Sequence, residues 1–269
     1  MTATVGPAVE RGARFEPPEL DLLAAHAGIR PPFPLRVPSL GRISGEREAL
    51  LAAAARSLSA RGLITRHGPS GVAADLVAAL RGHRGAVDLV VIDGGTVTGV
   101  VAMIHGPGAV VCHQSIGGAP GPVTVARVTT AALTDELANR IPKTGAAQTM
   151  PIALPPGVVG DVSRLLENTA GIAAPRKRIR ALVAERGGDE SAVDALVDLL
   201  PSVQGRGQLG AVIGRAGDRA ERPLELSWLD SPKGRIRVNT DDRGWVSINP
   251  LRHGELLRVL REAAALARG

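Results

Sequence analysis

Two stretches of the chain carry the same order of elements, and that order limits the fold more than any single residue does. In the first, strand-length apolar runs at Val87–Ile92, Val97–His105, Ala109–Ile116 and Val123–Val125 are broken by Asp93-Gly94-Gly95 and Gly106-Pro107-Gly108. A Leu-bearing helix over about 130–141 follows them. In the second, Gly207–Gly214, Arg222–Leu229, Arg235–Asn239 and Trp245–Ile248 are broken at Ala216-Gly217-Asp218 and Ser231-Pro232-Lys233-Gly234, and a helix from Gly254 to Ala267 closes the series. Asp-Gly between apolar runs is a strong hairpin signal. A meander of this kind cannot bury its apolar face unaided, so the two halves are expected to pool their strands and pack helices on them.

Two anchors align the halves. Pro34, Leu35, Val37 and Pro38 match Pro151, Ile152, Leu154 and Pro155 at an offset of 117, and Val123, Val125, Val128, Leu133 and Leu137 match Val246, Ile248, Leu251, Leu256 and Leu260 at an offset of 123. The pattern predicts an α+β protein, duplicated with pseudo-twofold symmetry, in which the strands of the two halves form one sheet or two abutting sheets with helices packed on them. Residues 1–14 read as a flexible N-terminal arm, 15–145 as the N-terminal half and 146–269 as the C-terminal half. Pro17-Pro18 opens a helix that Gly28 ends; Ser44 starts a longer one to Ala60, stopped by Gly62; and a third runs from Gly71 to Arg81. The proline-bounded segments Phe33–Pro38 and Pro151–Pro155 suit edge strands. Helices over Val158–Glu167, Pro175–Arg186 and Ser191–Leu200 are expected in the second half.

Composition narrows the class. With 44% hydrophobic and 22% charged residues over 269 positions, the chain is globular rather than disordered. No apolar run reaches the roughly 18 residues that a membrane span needs. Met1–Glu16 has no apolar core of a signal peptide, and the single cysteine, Cys112, leaves no internal disulfide or cysteine-rich zinc site. A soluble cytoplasmic protein is the expectation. The net charge of +6 divides evenly between the halves, so no basic tail or domain stands out. The densest basic run, Arg176-Lys177-Arg178-Ile179-Arg180, reads either as phosphate contacts or as the solvated face of a helix buried through Ile179, Leu182 and Val183. The four aromatics, Phe15, Phe33, Trp228 and Trp245, are too few for base-stacking platforms, which disfavours nucleic acid.

No catalytic constellation emerges. Gly205-Arg206-Gly207-Gln208-Leu209-Gly210 spells the dinucleotide fingerprint, but it follows a helix and enters a strand, the reverse of the order that places a helix N-terminus at a pyrophosphate. Cys112 and His113 are adjacent, and on a strand neighbours point to opposite faces, so the thiol is expected to pack as a small hydrophobe. His105 and His113 lack a third metal ligand, and Asp241-Asp242 sits in a turn that favours Asp for backbone hydrogen bonding. Lys143-Thr144-Gly145 and His113-Gln114-Ser115-Ile116-Gly117 match fragments of enzyme motifs without their companions. No enzymatic activity, cofactor or metal is expected.

The C-terminal third holds an ordered series: Gly207-Gln208-Leu209-Gly210, Ser227-Trp228-Leu229-Asp230, Gly234-Arg235, Gly244-Trp245-Val246-Ser247-Ile248, Pro250 and a Leu-rich final helix. With Pro34-Leu35-Arg36-Val37-Pro38 and Arg61-Gly62-Leu63 upstream, this resembles the EspG family of cytosolic chaperones of type VII (ESX) secretion in actinobacteria. Leu209 stands where that family often has Phe, and Ile236 where it often has another aromatic. The resemblance implies an α+β, pseudo-twofold duplicated fold with a central, largely antiparallel or mixed β-sheet flanked by two α-helical bundles, and a chaperone that covers the apolar tip of a PE-PPE or PPE-like protein before export, with a secretion-machinery ATPase as a further candidate partner. It implies no nucleic acid and no membrane insertion. Within the sheet and hairpins that the resemblance points to, Asp93, Gly94, Gly95 and Thr96 and the strand residues Gln208, Leu209 and Trp228 are the candidate partner-binding positions. The alternative for Trp228 is a core residue, and for Gln208 a side chain satisfying backbone groups where the halves join. Two other functions stay open at this point. A nucleic-acid adaptor would need its arginines on one face, and a small-molecule enzyme would need convergent titratable groups in a pocket.

Overall fold

Ten strands of the chain follow one another in a single sheet whose order reads alike from both ends: β1-β7-β6-β5-β4-β9-β10-β11-β12-β8. The computed structural model describes residues 12–41, 44–168, 176–189, 193, 197, 199–214 and 220–269. The strands are β1 (Ala13–Phe15), β4 (Gly85–Asp93), β5 (Thr96–His105), β6 (Gly108–Ser115), β7 (Val123–Thr129), β8 (Ile152–Leu154), β9 (Gly205–Ile213), β10 (Glu221–Ser231), β11 (Gly234–Thr240) and β12 (Val246–Pro250). A separate hairpin, β2 (Ile64–Thr65) and β3 (Gly68–Pro69), was not legible in the sequence. The helices are α1 (Pro17–Ala27), α2 (Ser44–Ala60), α3 (Val72–Gly82), α4 (Leu133–Ala138), α5 (Val158–Asn168), α6 (Arg176–Glu185) and α7 (His253–Leu266). The expected helix at Ser191–Leu200 and the turn at Ala216-Gly217-Asp218 fall largely or wholly outside the described residues, as do residues 1–11 of the expected N-terminal arm.

Each half thus contributes a four-stranded meander and one short edge strand, which is the duplicated α+β arrangement. The anchors are less symmetric than the sequence suggests. Ile152–Leu154 does form an edge strand, pairing with β12 through Ile248↔Ile152 and Val246↔Leu154. Phe33–Pro38 does not: the corresponding place beside β7 is taken by β1, with Phe15↔Val123 and Ala13↔Val125. Ala13 and Arg14 therefore belong to the sheet, not to a loose arm.

The reason lies in Gln114, a buried amide near the end of β6. Its side chain is 1% exposed and does the work of a neighbouring strand. Its Oε1 accepts from the Arg36 backbone N–H at 2.7 Å, and its Nε2 donates to the Arg36 carbonyl at 2.9 Å and the Gly121 carbonyl at 2.8 Å. Prolines at 34 and 38 deny the segment the donors for a ladder, so one glutamine holds it instead. Gly99, opposite Gln114 in the register, leaves the space that Pro34 occupies, since a Cβ there would come within 2.9 Å of the proline ring.

The chain divides into two compact units: one comprises Leu209–Glu225, Leu257–Gly269 and the residues up to Pro142, and the other Lys143–Gln208 and Leu226–Leu256. In the first, α1, α2 and α3 cover a core of Phe15, Leu20, Leu23, Leu58, Leu76, Leu80, Val101, Met103, Val110, Cys112 and Val125. Glu19, 3% exposed, organises that corner. Its carboxylate accepts from the Glu16 N–H (2.9 Å), the Ser57 hydroxyl (2.7 Å) and Arg61 (3.0 Å). Arg61 also donates to the Arg14 carbonyl at 2.6 Å and lies over the Phe15 ring at 5.6 Å. In the second unit, α5 and α6 bury Val158, Val162, Ile179 and Val183 against Ile152, Leu154, Ile236 and Ile248. Ile179 and Val183 are inside while Lys177, Arg178 and Arg180 are exposed, the solvated-helix reading of the basic run.

Replacing Gln114 with Ala removes its hydrogen bonds to the Arg36 backbone and the Gly121 carbonyl, and the expected loss of stability is about 2 kcal/mol. Equilibrium urea unfolding measures it; an unchanged midpoint would show that the amide does not hold the segment.

Candidate functional site

The candidate positions fall into two environments. Asp93 ends β4 and pairs with Thr96, the first residue of β5, across a two-residue turn in which Gly94 (φ 53°) and Gly95 (φ 81°) both occupy the left-handed region. Two glycines at such positions are what a tight hairpin with the native strand twist requires. All four residues are exposed. Beside the tip, Val91, Asp93, Thr96, Thr98, Asn139, Arg140, Ile141 and Pro142 line a depression of about 350 Å³. Val91 and Ile141 form its buried floor, while Asp93, Thr96 and Thr98, with Asn139 and Arg140 at the end of α4, give a polar rim. Arg140 is already paired with Glu136. The Asp93 carboxylate meets no donor among the described residues.

The other candidates lie inside. Leu209 is 0% and Trp228 1% exposed, and Gln208 is half-buried. Trp228 has the core environment that was its alternative reading. A Cβ at position 207 would overlap its six-membered ring, so Gly207 is the notch in which the indole lies. On its other side the Arg235 guanidinium sits 5.4 Å from the ring. Arg235, 1% exposed, makes a two-pronged ion pair with Asp230, its cross-strand neighbour (2.6 and 2.8 Å). The Arg235 backbone donates to the Gly145 carbonyl (2.7 Å) and accepts from Ala147 and Leu251 (3.0 Å each). Gly234, with φ 113°, lets the Ala146–Ala147 segment pass against it. The indole Nε1 has no acceptor among the described residues.

The fingerprint glycines therefore have a packing explanation. The whole Gly205–Gly210 run lies in β9, further from the dinucleotide arrangement than its sequence order suggests. Gly210 is a second notch: a Cβ there would overlap the Arg222 guanidinium. Arg222, on β10, crosses β9 at this point to reach Asp88 on β4, with 2.8 and 2.9 Å bonds to both carboxylate oxygens. Asp88 is 3% exposed; burial pushes its carboxyl above the usual carboxylate range against the pull of Arg222, and the bond to Asp88 in turn raises Arg222.

The titratable groups elsewhere do not converge. Cys112 packs among Val101, Val125 and Met103, and burial raises its thiol to about 12. His113 lies half-buried on the opposite side of the strand, its pKa lowered first by burial and then by Arg140. His83 and His105 each contact a backbone carbonyl, of Ala79 and Gly82. No group of three or more His, Cys, Asp or Glu among the described residues could hold a metal ion. Asp241 accepts from the Arg243 and Trp245 N–H groups with one oxygen and orders the turn before β12; Trp245 precedes that strand rather than lying in it, and is 36% exposed. The arginines are dispersed in ion pairs, among them Arg47–Asp21, Arg61–Glu19, Arg127–Asp75 and Arg237–Glu255. No helix among the described residues is long and apolar enough to cross a membrane.

These features define a duplicated α+β protein built around one long antiparallel sheet, with exposed hairpin surface and its buried carboxylates Glu19, Asp88 and Asp230 paired with arginines. The match to the EspG family model extends over residues 16–262, and the chain belongs to that family. Among solved structures it is similar to the type VII secretion system chaperone EspG5 of Mycobacterium tuberculosis, described in complex with a PE25-PPE41 dimer. The identity is 15%, 95% of each chain is covered and the TM-score is 0.62, a likeness of fold. No curated protein matches the sequence.

Two outcomes test this description. Arg222→Ala leaves Asp88 buried without its partner and is expected to cost about 3 kcal/mol in thermal or urea unfolding; a loss under about 0.5 kcal/mol, as at an ordinary surface position, would show that the crossing does not hold the strands. Cys112 should resist alkylation by iodoacetamide at pH 8 in the folded chain and react fully in denaturant. Rapid modification without unfolding would contradict its burial.

Proposed function

We propose that this chain is a type VII secretion chaperone that binds a PE-PPE or PPE-like pair in the cytosol and keeps it soluble before export. Membership of the EspG family over nearly the whole chain carries the reading. The fold likeness to EspG5, whose structure was determined bound to PE25-PPE41, supports it. So does the chemistry: an export cargo with an exposed apolar tip aggregates unless covered, and covering it takes a shaped, ordered surface rather than a nucleophile or a metal. On this reading the protein is not an enzyme. A secretion-machinery ATPase would meet the loaded chaperone rather than the empty one.

Of the candidate partner-binding positions, Asp93, Gly94, Gly95 and Thr96 are accessible as they stand, and Gln208 in part. Leu209 and Trp228 would contribute by holding the strands that present the surface. Trp228→Ala is expected to lower the melting temperature and to leave affinity per folded molecule unchanged.

The test is co-expression with each PE-PPE pair encoded in the same genome, followed by purification through a tag on this chain. One pair should co-purify in stoichiometric amount and lose solubility when this chain is omitted. Failure of every pair to co-purify, with the chain folded, would overturn the proposal.

A further inference from the structure

We infer that the depression beside the β4–β5 hairpin is a capping site for the N-terminal turn of a partner helix, with Asp93 as the cap. The inference rests on the chaperone reading and adds the chemistry by which one part of the surface would recognise its partner.

Three observations carry it. First, the rim is polar: Asp93, Thr96, Thr98 and Asn139, each of which can supply an acceptor, line the depression together with Val91, Ile141 and Pro142. The one cation there, Arg140, is bound to Glu136 on its own helix, with bonds of 3.2 and 2.5 Å. Second, the Asp93 carboxylate meets no donor among the described residues, unlike Asp21, Asp88, Asp161, Asp230 and Asp241, which all accept from arginines or backbone N–H groups. Third, the backbone that carries the carboxylate is well defined. Asp93 and Thr96 are in register, and the Gly94-Gly95 turn between them is fixed by its left-handed backbone.

The first turn of a helix has the complementary character. It presents backbone N–H groups without intrahelical partners and the positive end of the helix dipole. A carboxylate accepting from those groups supplies from another chain what an Asp or Asn N-cap supplies from its own. The apolar floor has room for one side chain from the same turn, and the hydroxyls of Thr96 and Thr98 are within the same concavity. A helix C-terminus, which presents carbonyls and negative charge, would be repelled by Asp93. An acidic segment would be disfavoured for the same reason.

The experiment uses the full chain and the PE-PPE pair that co-purifies with it, with affinity measured by calorimetry and folding by thermal melt. Because the side chain is exposed at a hairpin tip, all three variants should melt as the parent does. Asp93→Ala should weaken binding about fivefold, the worth of a typical cap. Asp93→Asn, which caps a helix nearly as well, should stay within about twofold. Asp93→Lys should weaken it further than Ala, by placing a cation at the positive end of the helix. Equal affinity for all three would overturn the inference, as would Asn being as damaging as Lys. If the unmodified chain binds no pair, the chaperone reading itself fails, an outcome separate from these.

Discussion

The Asp88–Arg222 ion pair spans three neighbouring strands, β4, β9 and β10, and it can do so because position 210 carries no side chain. β4 is the first strand of one meander and β9 the first of the other, so this is the place where two duplicated halves become one sheet. Backbone bonds alone would permit the strands to slip in register; a buried two-pronged pair admits one alignment. Close approach does the rest. A Cβ at Gly85 would meet the Ala267 and Val212 carbonyls at 2.5 and 2.8 Å, so β4, β9 and the residues after α7 are packed backbone to backbone.

The same economy recurs at several buried polar groups. Glu19 and Gln114 are each held by several partners, Asp88 by both prongs of Arg222, 134 residues away, and Asp230 by both prongs of Arg235 across the β10–β11 hairpin. A chain with two Phe, two Trp and no Tyr has few large side chains with which to fix the position of one element on another. Aliphatic residues supply the burial, and directional polar contacts supply the alignment that aromatic packing would otherwise give. The series of residues that carries the family resemblance is largely this alignment hardware: Gly207 receives Trp228, Trp228 stacks on Arg235, Arg235 pairs with Asp230, and Gly234 makes room for Ala147. Such a series identifies the fold without marking the surface that meets a partner.

That distinction explains what the sequence could and could not tell. The meander strands were legible because Asp93-Gly94-Gly95, Gly106-Pro107-Gly108 and Ser231–Gly234 punctuate apolar runs of strand length, and the helix ends because Gly28 and Gly62 adopt the left-handed conformation that stops a helix. The segment Phe33–Pro38 was misread because its prolines look the same in an edge strand and in a strap; what decides is Gln114, 78 residues away. β1 escaped notice because three residues carry no periodicity. Of the candidate site, the exposed hairpin was legible from its turn. Leu209 and Trp228 drew attention through family pattern and size, neither of which tells a packed side chain from a presented one. The depression at the end of α4 could not be foreseen, since it depends on Asn139–Pro142 lying beside β4 and β5.

The proposed chaperone role suits this division of labour: strands aligned by buried polar contacts present a small exposed hairpin surface. The most direct measurement is hydrogen exchange of the full chain alone and with a PE-PPE pair that co-purifies with it, read by mass spectrometry over short peptides. The account predicts added protection at residues 91–98 and 139–142 and none around 207, 228 and 235, which are buried within the sheet. Protection that appears first around Trp228 and Arg235, with the hairpin unchanged, would contradict it.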